Sequence, residues 1–99
     1  MALDVLGYHE GGSELHFEFS ERLHQSIFRN IKPKKNSPLY RIRDYYLTDC
    51  SFSGDEIETL SAALGSVDHL ITAPNAEAFE GLIKFLRQDG LVRVAFAGD

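Results

Sequence analysis

Residues 14–19 alternate strictly between polar and apolar side chains, and this pattern limits the fold more than any other part of the sequence. The apolar members share one face of an extended strand: Leu15, Phe17 and Phe19. The polar members share the other face: Glu14, His16 and Glu18. Residues 3–9 are also apolar and aromatic, and Glu10-Gly11-Gly12-Ser13 between the two segments is typical of a turn. We therefore predict an antiparallel β-hairpin with one buried face.

Two helices are predicted after the hairpin. Ser20 can cap the first helix, Glu21 lies near its positive end, and Pro33 stops it. The apolar series of this helix is Leu23, Ile27 and Ile31. Ser37-Pro38 is typical of the start of a second helix, because proline fits the first helical position. One face of that helix takes Leu39, Ile42 and Tyr46, with Tyr45 adjacent. The same residues also fit a strand.

The second half of the chain predicts two more helices and a strand. Ser53-Gly54-Asp55-Glu56 is a capping box, and the helix that it starts ends at Gly65. The apolar stripe of this helix is Ile57, Leu60 and Leu64. A further stripe, with Gly90 as its C-terminal cap, is Phe79, Leu82, Ile83 and Leu86. The final strand covers residues 91–96, with Val92, Val94 and Phe96 on one face and Arg93 on the other.

Two segments are less distinct. Residues 48–52 are expected to be a connection. Residues 67–72 fit a helix as well as a strand, and if they form a strand, residues 67–96 make a right-handed βαβ unit.

The 99 residues suit a single domain, 1–99. The expected fold class is α+β, with a small, mostly antiparallel sheet packed on one face by three to four helices. The N-terminal hairpin and the C-terminal strand supply this sheet.

Charge and composition limit the classes of function that this chain is expected to have. The formal net charge is −5, and an acidic domain repels the phosphates of nucleic acids and attracts basic surfaces. No apolar run approaches the roughly 20 residues that span a bilayer. The start, Met1-Ala2-Leu3-Asp4, is unlike a secretory signal. Cys50 is the only cysteine, which suits a reducing compartment. We expect a cytoplasmic protein that binds neither membranes nor nucleic acids.

The common catalytic and metal-binding motifs are absent from the sequence, including the phosphate-binding loop, the paired-histidine zinc motif and the nucleophile elbow. We predict no catalytic residue, no cofactor and no metal. His9 and His16 could lie near each other across the hairpin, with Glu14 and Glu18 beside His16. An exposed polar face of the sheet is the favoured explanation of these residues.

His24 and Cys50 are expected to be structural. His24 lies among apolar residues of the first predicted helix, which is typical of a histidine at the edge of a core. A cysteine nucleophile needs a base and positive surroundings that lower its pKa. Asp49 precedes Cys50 and has the opposite effect, so we predict a structural cysteine.

Tyrosines and acidic residues are concentrated in the middle of the chain. Residues 44–49 combine two tyrosines with two aspartates, and more acidic residues follow at the start of the next predicted helix. Tyrosine provides a large contact area at a low cost in entropy, and acidic side chains around it steer a basic partner. At least one of the tyrosines could instead pack into the core. The predicted partner-binding residues are Asp44, Tyr45, Tyr46, Asp49, Asp55, Glu56 and Glu58.

Three stretches of the sequence carry a family resemblance: Pro38–Tyr46, Phe52–Ile57 with Leu60, and Val92–Phe96 followed by Gly98-Asp99. In these stretches the sequence resembles small bacterial immunity proteins, the inhibitors of toxins from contact-dependent or polymorphic toxin systems. The resemblance implies a cytoplasmic inhibitor that binds the catalytic domain of a toxin and blocks it. It brings no catalytic residue. Such inhibitors are often acidic because nuclease toxins are basic, and the charge of −5 agrees.

The sequence therefore supports three hypotheses. The first is a non-enzymatic immunity protein that neutralises a cognate bacterial toxin domain, a basic partner, through an acidic surface that contains tyrosine. The second is a regulatory or adaptor subunit of a larger assembly. The third is a small metal-binding protein or enzyme that uses His9, His16 and Glu18.

Overall fold

The computed structural model describes residues 3–46 and 48–98. The strands are β1 (Leu3–His9), β2 (Glu14–Phe19), β3 (Asp49–Ser53) and β4 (Leu91–Ala97). The α-helices are α1 (Glu21–Phe28), α2 (Asp55–Gly65) and α3 (Ala73–Leu86). Two 3₁₀ helices complete the elements, Pro38–Ile42 and Asp68–Leu70. Four residues that the sequence analysis covers lie outside the described residues: Met1, Ala2, Leu47 and Asp99.

The four strands form one antiparallel sheet in the order β2-β1-β4-β3. The predicted hairpin of β1 and β2 is confirmed, and Val5 lies opposite Phe17 in its register. β4 inserts between β1 and β3, so that the last strand of the described chain occupies the middle of the sheet. The predicted α+β class is confirmed: an antiparallel sheet with three α-helices.

The sheet buries one face and leaves the other open. The side chains of Leu3, Val5 and Phe19 are fully buried in the hairpin, and those of Val94 and Phe96 in β4. They pack with buried residues of the helices in one hydrophobic core. Because side chains alternate along each strand, the neighbouring residues of these strands point to the opposite, open face. This open face carries the polar residues that the hairpin pattern predicted.

The first helix is shorter than predicted. It ends at Phe28, where the N–H of Arg29 donates to the carbonyl oxygen of Gln25, well before Pro33. The next residues, Arg29 and Asn30, are exposed and provide no apolar surface for another turn to bury. Ile31 therefore lies outside the helix, although it packs partly buried against the core.

The prediction of a connection at residues 48–52 was wrong, because this segment contains strand β3. Phe52 is its one large apolar side chain, so no local alternation announces a strand. The strand forms through distant pairing, with Phe52 opposite Val94 in β4. The ring of Phe52 is buried and meets the ring of Phe96 edge-on, with centroids 5.6 Å apart. Tertiary packing thus overrides a weak local preference here.

Residues 67–72 form neither a strand nor an α-helix. They contain the short 3₁₀ helix, closed by the N–H of Ile71 on the carbonyl oxygen of Asp68. The βαβ unit is therefore absent from the described chain, and both neighbours of β4 pair with it in antiparallel fashion. The predicted strand at residues 91–96 is confirmed, with Val92, Val94 and Phe96 on one face, although Val92 is 43% exposed whereas Val94 and Phe96 are buried.

The capping box before α2 forms in part. The N–H of Ser53 donates to Oε1 of Glu56 at 3.0 Å. The reciprocal side-chain cap is missing, because the N-cap residue is Gly54, with a φ of 55°. Glycine tolerates this left-handed conformation and allows the sharp change of direction from β3 into α2.

His24 is a buried histidine of the core, as predicted. Its Nε2 donates to the carbonyl oxygen of Ile42 at 2.8 Å, since a carbonyl can only accept. Its ring stacks on Phe28 with centroids 4.4 Å apart. Burial lowers the pKa of His24, and the hydrogen bond to Ile42 opposes this shift less strongly.

This shift predicts that the protein loses stability as the pH falls. In the unfolded chain histidine takes up a proton near pH 6.5, whereas folded His24 does so only at a lower pH. The free energy of unfolding should therefore decline below about pH 6.5, by less than the ~1.4 kcal/mol per pH unit that one full proton gives. Urea unfolding between about pH 8 and pH 5.5 measures this slope above the range of ordinary carboxyl groups.

A His24→Gln variant serves as the control for this prediction. It loses packing at every pH, so the comparison at about pH 8, where histidine is neutral in both states, isolates that loss. Below about pH 6.5 its stability should fall less steeply than that of the parent protein. Equal slopes for the two proteins would show that His24 does not cause the decline.

Candidate functional site

Three carboxylates lie in one row across the end of the sheet. Asp4 is opposite Glu18 on one side and Ala97 on the other, and Ala97 is opposite Asp49. All four side chains point to the open face, because the residues next to them in each strand point to the helices. Glu18 and Asp4 are direct cross-strand neighbours, about 5 Å apart at Cβ. This row is the first part of the candidate site.

Tyr46 lies at the same end of the molecule. Its hydroxyl donates to Oε2 of Glu21, the first residue of α1, which follows directly after β2. Its N–H donates to Oδ1 of Asp44 at 3.0 Å. The Tyr46 side chain remains 47% exposed, one of two large hydrophobic side chains in the described chain with such exposure. One carboxylate thus holds the hydroxyl of this exposed ring, and a second holds the backbone of the same residue.

Tyr45 is buried and anchors this segment from below. Its hydroxyl accepts a hydrogen bond from the N–H of Leu3 at 3.2 Å, and its ring meets Tyr46 edge-on at 5.2 Å. The predicted common face of Leu39, Ile42 and Tyr46 was therefore wrong, because it is Tyr45 that joins them in the core. The 3₁₀ helix ends at Ile42, so helical spacing does not continue to residue 46.

Gly98 permits the close approach of this segment to the sheet. A Cβ atom at Gly98 would lie 2.8 Å from the carbonyl oxygens of both Tyr45 and Tyr46. The N–H of Gly98 also donates to the carbonyl oxygen of Thr48 at 2.7 Å. A larger residue would push the tyrosine segment away from the end of β4.

We call this surface the acidic end, and it consists of Asp4, Glu18, Glu21, Asp44, Tyr46 and Asp49. His16 lies beside this surface, with Nε2 2.8 Å from Oδ1 of Asp4. Arg43 turns away from it, with its guanidinium 3.6 Å from the ring centroid of Tyr40. The accepting carboxylate of Glu21 and its charge raise the pKa of Tyr46, so the hydroxyl remains a donor at neutral pH.

The structure divides the predicted partner-binding residues into two groups. Asp44, Tyr46 and Asp49 belong to the acidic end, and Tyr45 lies beneath it. The remaining three are Asp55, Glu56 and Glu58, in the first turn of α2. β3 separates the groups by about 13 Å along its length. Sequence proximity therefore does not make residues 44–58 one surface.

Glu56 has a structural role at the other end of β3. Its Oε1 accepts from the N–H of Ser53, and its Oε2 lies 3.6 Å from Nη1 of Arg41. Arg41 also donates from Nη2 to the carbonyl oxygen of Ser51 at 2.8 Å, with its guanidinium over the ring of Phe52. These contacts explain Glu56 without a partner.

Three residues of the acidic end were missing from the sequence-based set: Asp4, Glu18 and Glu21. The alternation of the hairpin already placed Glu18 on an exposed face. What brings it to Asp49 is the register of three strand pairs, and two of those pairs join distant parts of the chain. No short-range pattern carries that information.

The histidines do not form a metal site with the hairpin carboxylates. His16 lies opposite Leu6, whereas His9 is three residues further along β1 beside the turn, about 10 Å away. Within residues 3–46 and 48–98, no group of three or more His, Cys, Asp or Glu side chains is placed to hold a metal ion.

Cys50 is half-buried in β3. Its Sγ donates to the carbonyl oxygen of Arg41 at 3.6 Å. Burial raises the pKa of the Cys50 thiol, and the nearby charge of Arg41 only partly opposes this. The thiol is therefore protonated at neutral pH and poorly suited to be a nucleophile.

A cavity of about 770 Å³ lies beside α3 and the segment that joins α2 to α3. Its apolar side chains include Ile71, Phe79 and Ile83, and charges of both signs surround them. One of these, Arg87, is already engaged, because its Nε donates to Oγ of Ser61 at 2.9 Å. The cavity lacks histidine and cysteine, so its lining offers no base–nucleophile pair of the usual kind.

Among the residues that the structure describes, no helix has the length and apolar character needed to cross a membrane. Comparison of the chain with protein-family models, curated proteins and solved structures gave no match.

Proposed function

We propose that this chain is a non-enzymatic binding protein, an immunity protein that binds a basic toxin domain through the acidic end and neutralises it in the bacterial cytoplasm. The observation that carries this proposal is the exposed ring of Tyr46 beside the carboxylate row of the sheet, with its hydroxyl bonded to Glu21 and the backbone N–H of Tyr46 bonded to Asp44. An aromatic anchor within a field of one sign is the arrangement that a basic protein surface complements.

The energetics of the carboxylate row support a binding role. Like charges directly opposite each other on neighbouring strands lower the stability of a sheet. Glu18 and Asp4 occupy such positions, and His16 lies 2.8 Å from Asp4. A basic partner that binds this row would relieve the repulsion, so the row contributes more to a complex than to the isolated fold.

The acidic end also fits inhibition by contact rather than by chemistry. Its carboxylates are open to solvent, whereas an acid–base pair requires one carboxyl group in a pocket that raises its pKa. A toxin domain that acts on nucleic acids needs a basic surface for its substrate. An acidic protein that covers this surface would block substrate access by occupying it.

The proposal is tested by mixing the purified protein with the product of the neighbouring upstream gene. A complex with nanomolar affinity and suppression of toxicity on co-expression are the expected results. A complex without any toxicity to suppress would favour the adaptor or regulatory subunit instead. Absence of a complex would reject the immunity function.

Charge reversal should identify the surface. An Asp49→Lys/Glu18→Lys double variant should associate with the toxin domain about tenfold more slowly at low salt, because long-range attraction controls the association rate. Its association rate should also depend less on ionic strength. Stopped-flow mixing at several salt concentrations measures both effects.

An Asp55→Lys/Glu58→Lys variant is the matched control, since it has the same change in net charge. These residues lie beyond the far end of β3, so their reversal should change the association rate less than the first pair does. If both variants slow association equally, net charge alone controls the rate. If only the control variant slows it, the binding surface is the start of α2.

A further inference from the structure

The two edges of the sheet differ in how their backbone groups are covered. β3 and β2 are the edge strands. At the two ends of β3, the carbonyl oxygen of Thr48 accepts from Gly98 and the N–H of Gly54 donates to Val92. The alternate residues, Asp49, Ser51 and Ser53, therefore direct their backbone groups outward. The carbonyl oxygen of Ser51 accepts from Arg41, and the N–H of Ser53 donates to Glu56. Side chains thus cover the β3 edge at these two groups, which hinders pairing with another strand.

The β2 edge lacks such cover. The N–H of His9 donates to the carbonyl oxygen of Ser13 at 2.9 Å, so the inward-facing residues of β2 follow in alternation from Ser13. The outward-facing residues are Glu14, His16 and Glu18. Among residues 3–46 and 48–98, no hydrogen bond from another segment reaches their backbone groups. A row of donors and acceptors therefore faces solvent along the whole strand.

The side chains around this edge differ between its two faces. Glu14 and Glu18 direct their side chains to the open face of the sheet, where both are exposed. On the helix side, Leu15 and Phe17 are only half-buried, and the ring of Phe17 packs 5.7 Å from the ring of Phe85. The side chains of a strand added at this edge would alternate between the two faces of the sheet. Those on the open face would lie beside the glutamates, and those on the helix side would lie beside Leu15 and Phe17.

We infer that the β2 edge binds an extended segment of a partner protein in which basic and apolar residues alternate. The unpaired backbone groups of β2 would provide the affinity, and the two kinds of neighbour would select the sequence, as in other cases of strand addition. This inference rests on the proposed function for the identity of the natural partner. Its test uses synthetic peptides, so the two can fail separately.

Charge argues against a second copy of this chain as the occupant. β2 carries Glu14 and Glu18 and neither lysine nor arginine. Two β2 strands paired about a two-fold axis at His16 would set Glu14 opposite Glu18, which is unfavourable. Glu18 also belongs to the acidic end, so one basic partner could contact both surfaces.

The test is titration of the isotopically labelled protein with a capped seven-residue peptide of alternating valine and lysine, followed by NMR. We expect saturable binding, chemical-shift changes centred on residues 14–19, and slower amide exchange at Glu14, His16 and Glu18. The same peptide with N-methylated backbone amides on its bonding edge should bind at least about tenfold more weakly, since it keeps its charge and loses its hydrogen bonds.

Two protein variants separate backbone pairing from side-chain effects. His16→Pro removes an outward-facing N–H without removing a bond to β1, which an edge strand tolerates. It should weaken binding at least about tenfold, while His16→Ala, which also lacks the contact with Asp4, should bind within a few-fold of the parent. Thermal unfolding checks that both variants are folded.

Four results would overturn the inference. These are no binding at millimolar peptide, equal binding of the N-methylated peptide, shifts located away from β2, or equal binding by His16→Pro and His16→Ala. A concentration-dependent dimer of the protein, with amide protection at β2, would show that a second copy occupies the edge instead.

Discussion

Replacing Phe96 by alanine is expected to lower the free energy of unfolding by about 3–5 kcal/mol, the usual cost of removing a buried aromatic side chain. Phe96 lies in β4, in the interior of the sheet, and is fully buried. Its ring contacts Phe52, so the substitution also removes the main apolar contact of β3. A domain of this size has about 5–15 kcal/mol of total stability, so the variant would be near the limit of folding.

Denaturant unfolding measures this effect as a shift of the midpoint with an unchanged slope. Val92→Ala is the matched control in the same strand, because Val92 is exposed, and its cost should remain below about 1 kcal/mol. If Phe96→Ala does not fold, Phe96→Leu should show a smaller loss in the same direction. A loss below about 1 kcal/mol for Phe96→Ala would contradict the packing described for this core.

If the proposed function is right, replacing Tyr46 by alanine is expected to weaken binding of the proposed toxin partner by about 2 kcal/mol, or about thirtyfold in Kd, as for an aromatic residue at the centre of an interface. The exposed ring is the largest apolar contact that the acidic end provides. Its removal should leave the fold intact, because Tyr45 rather than Tyr46 anchors the segment to β1. Isothermal titration calorimetry with the toxin domain gives the affinity.

Two variants accompany this measurement. Tyr46→Phe keeps the ring and loses only the hydrogen bond to Glu21, so its affinity should remain within a few-fold of the parent. Val92→Ala removes the other exposed large hydrophobic side chain, at the opposite end of the sheet beside Gly54, and should leave affinity unchanged. An unchanged affinity for Tyr46→Ala would place the interface elsewhere on the protein.

The elements that the sequence predicted well have strong local signals. The strict alternation of residues 14–19 requires a strand, and the glycines before it require a turn, so the hairpin follows from neighbours in the chain. Ser20 and Ser37 cap their helices as predicted, with side-chain oxygens that accept from Leu23 and Leu39. These interactions lie within a few residues of each other, where sequence patterns are most informative.

The errors occur where distant contacts decide. β3 has one large apolar residue and a run of small polar ones, so its strand conformation depends on pairing with β4. The choice between Tyr45 and Tyr46 depends on Leu3 and Gly98, which lie far from both tyrosines in the chain. Only part of the candidate site could be predicted from the sequence, for the same reason. Composition marked the tyrosines and acids, but strand register decides which of them share a surface.

The pairing of β1 with β4 also determines when the acidic end can form during synthesis of the chain. Val5 lies opposite Phe96, so the two middle strands of the sheet come from the two extremes of the described chain. The hairpin can form as soon as its residues leave the ribosome, whereas closing so long a loop is slow and must await residues 91–97. Until β4 has formed, no strand holds Asp49 in the same row as Asp4. A nascent chain that lacks β4 therefore has no complete acidic end, however early its hairpin folds.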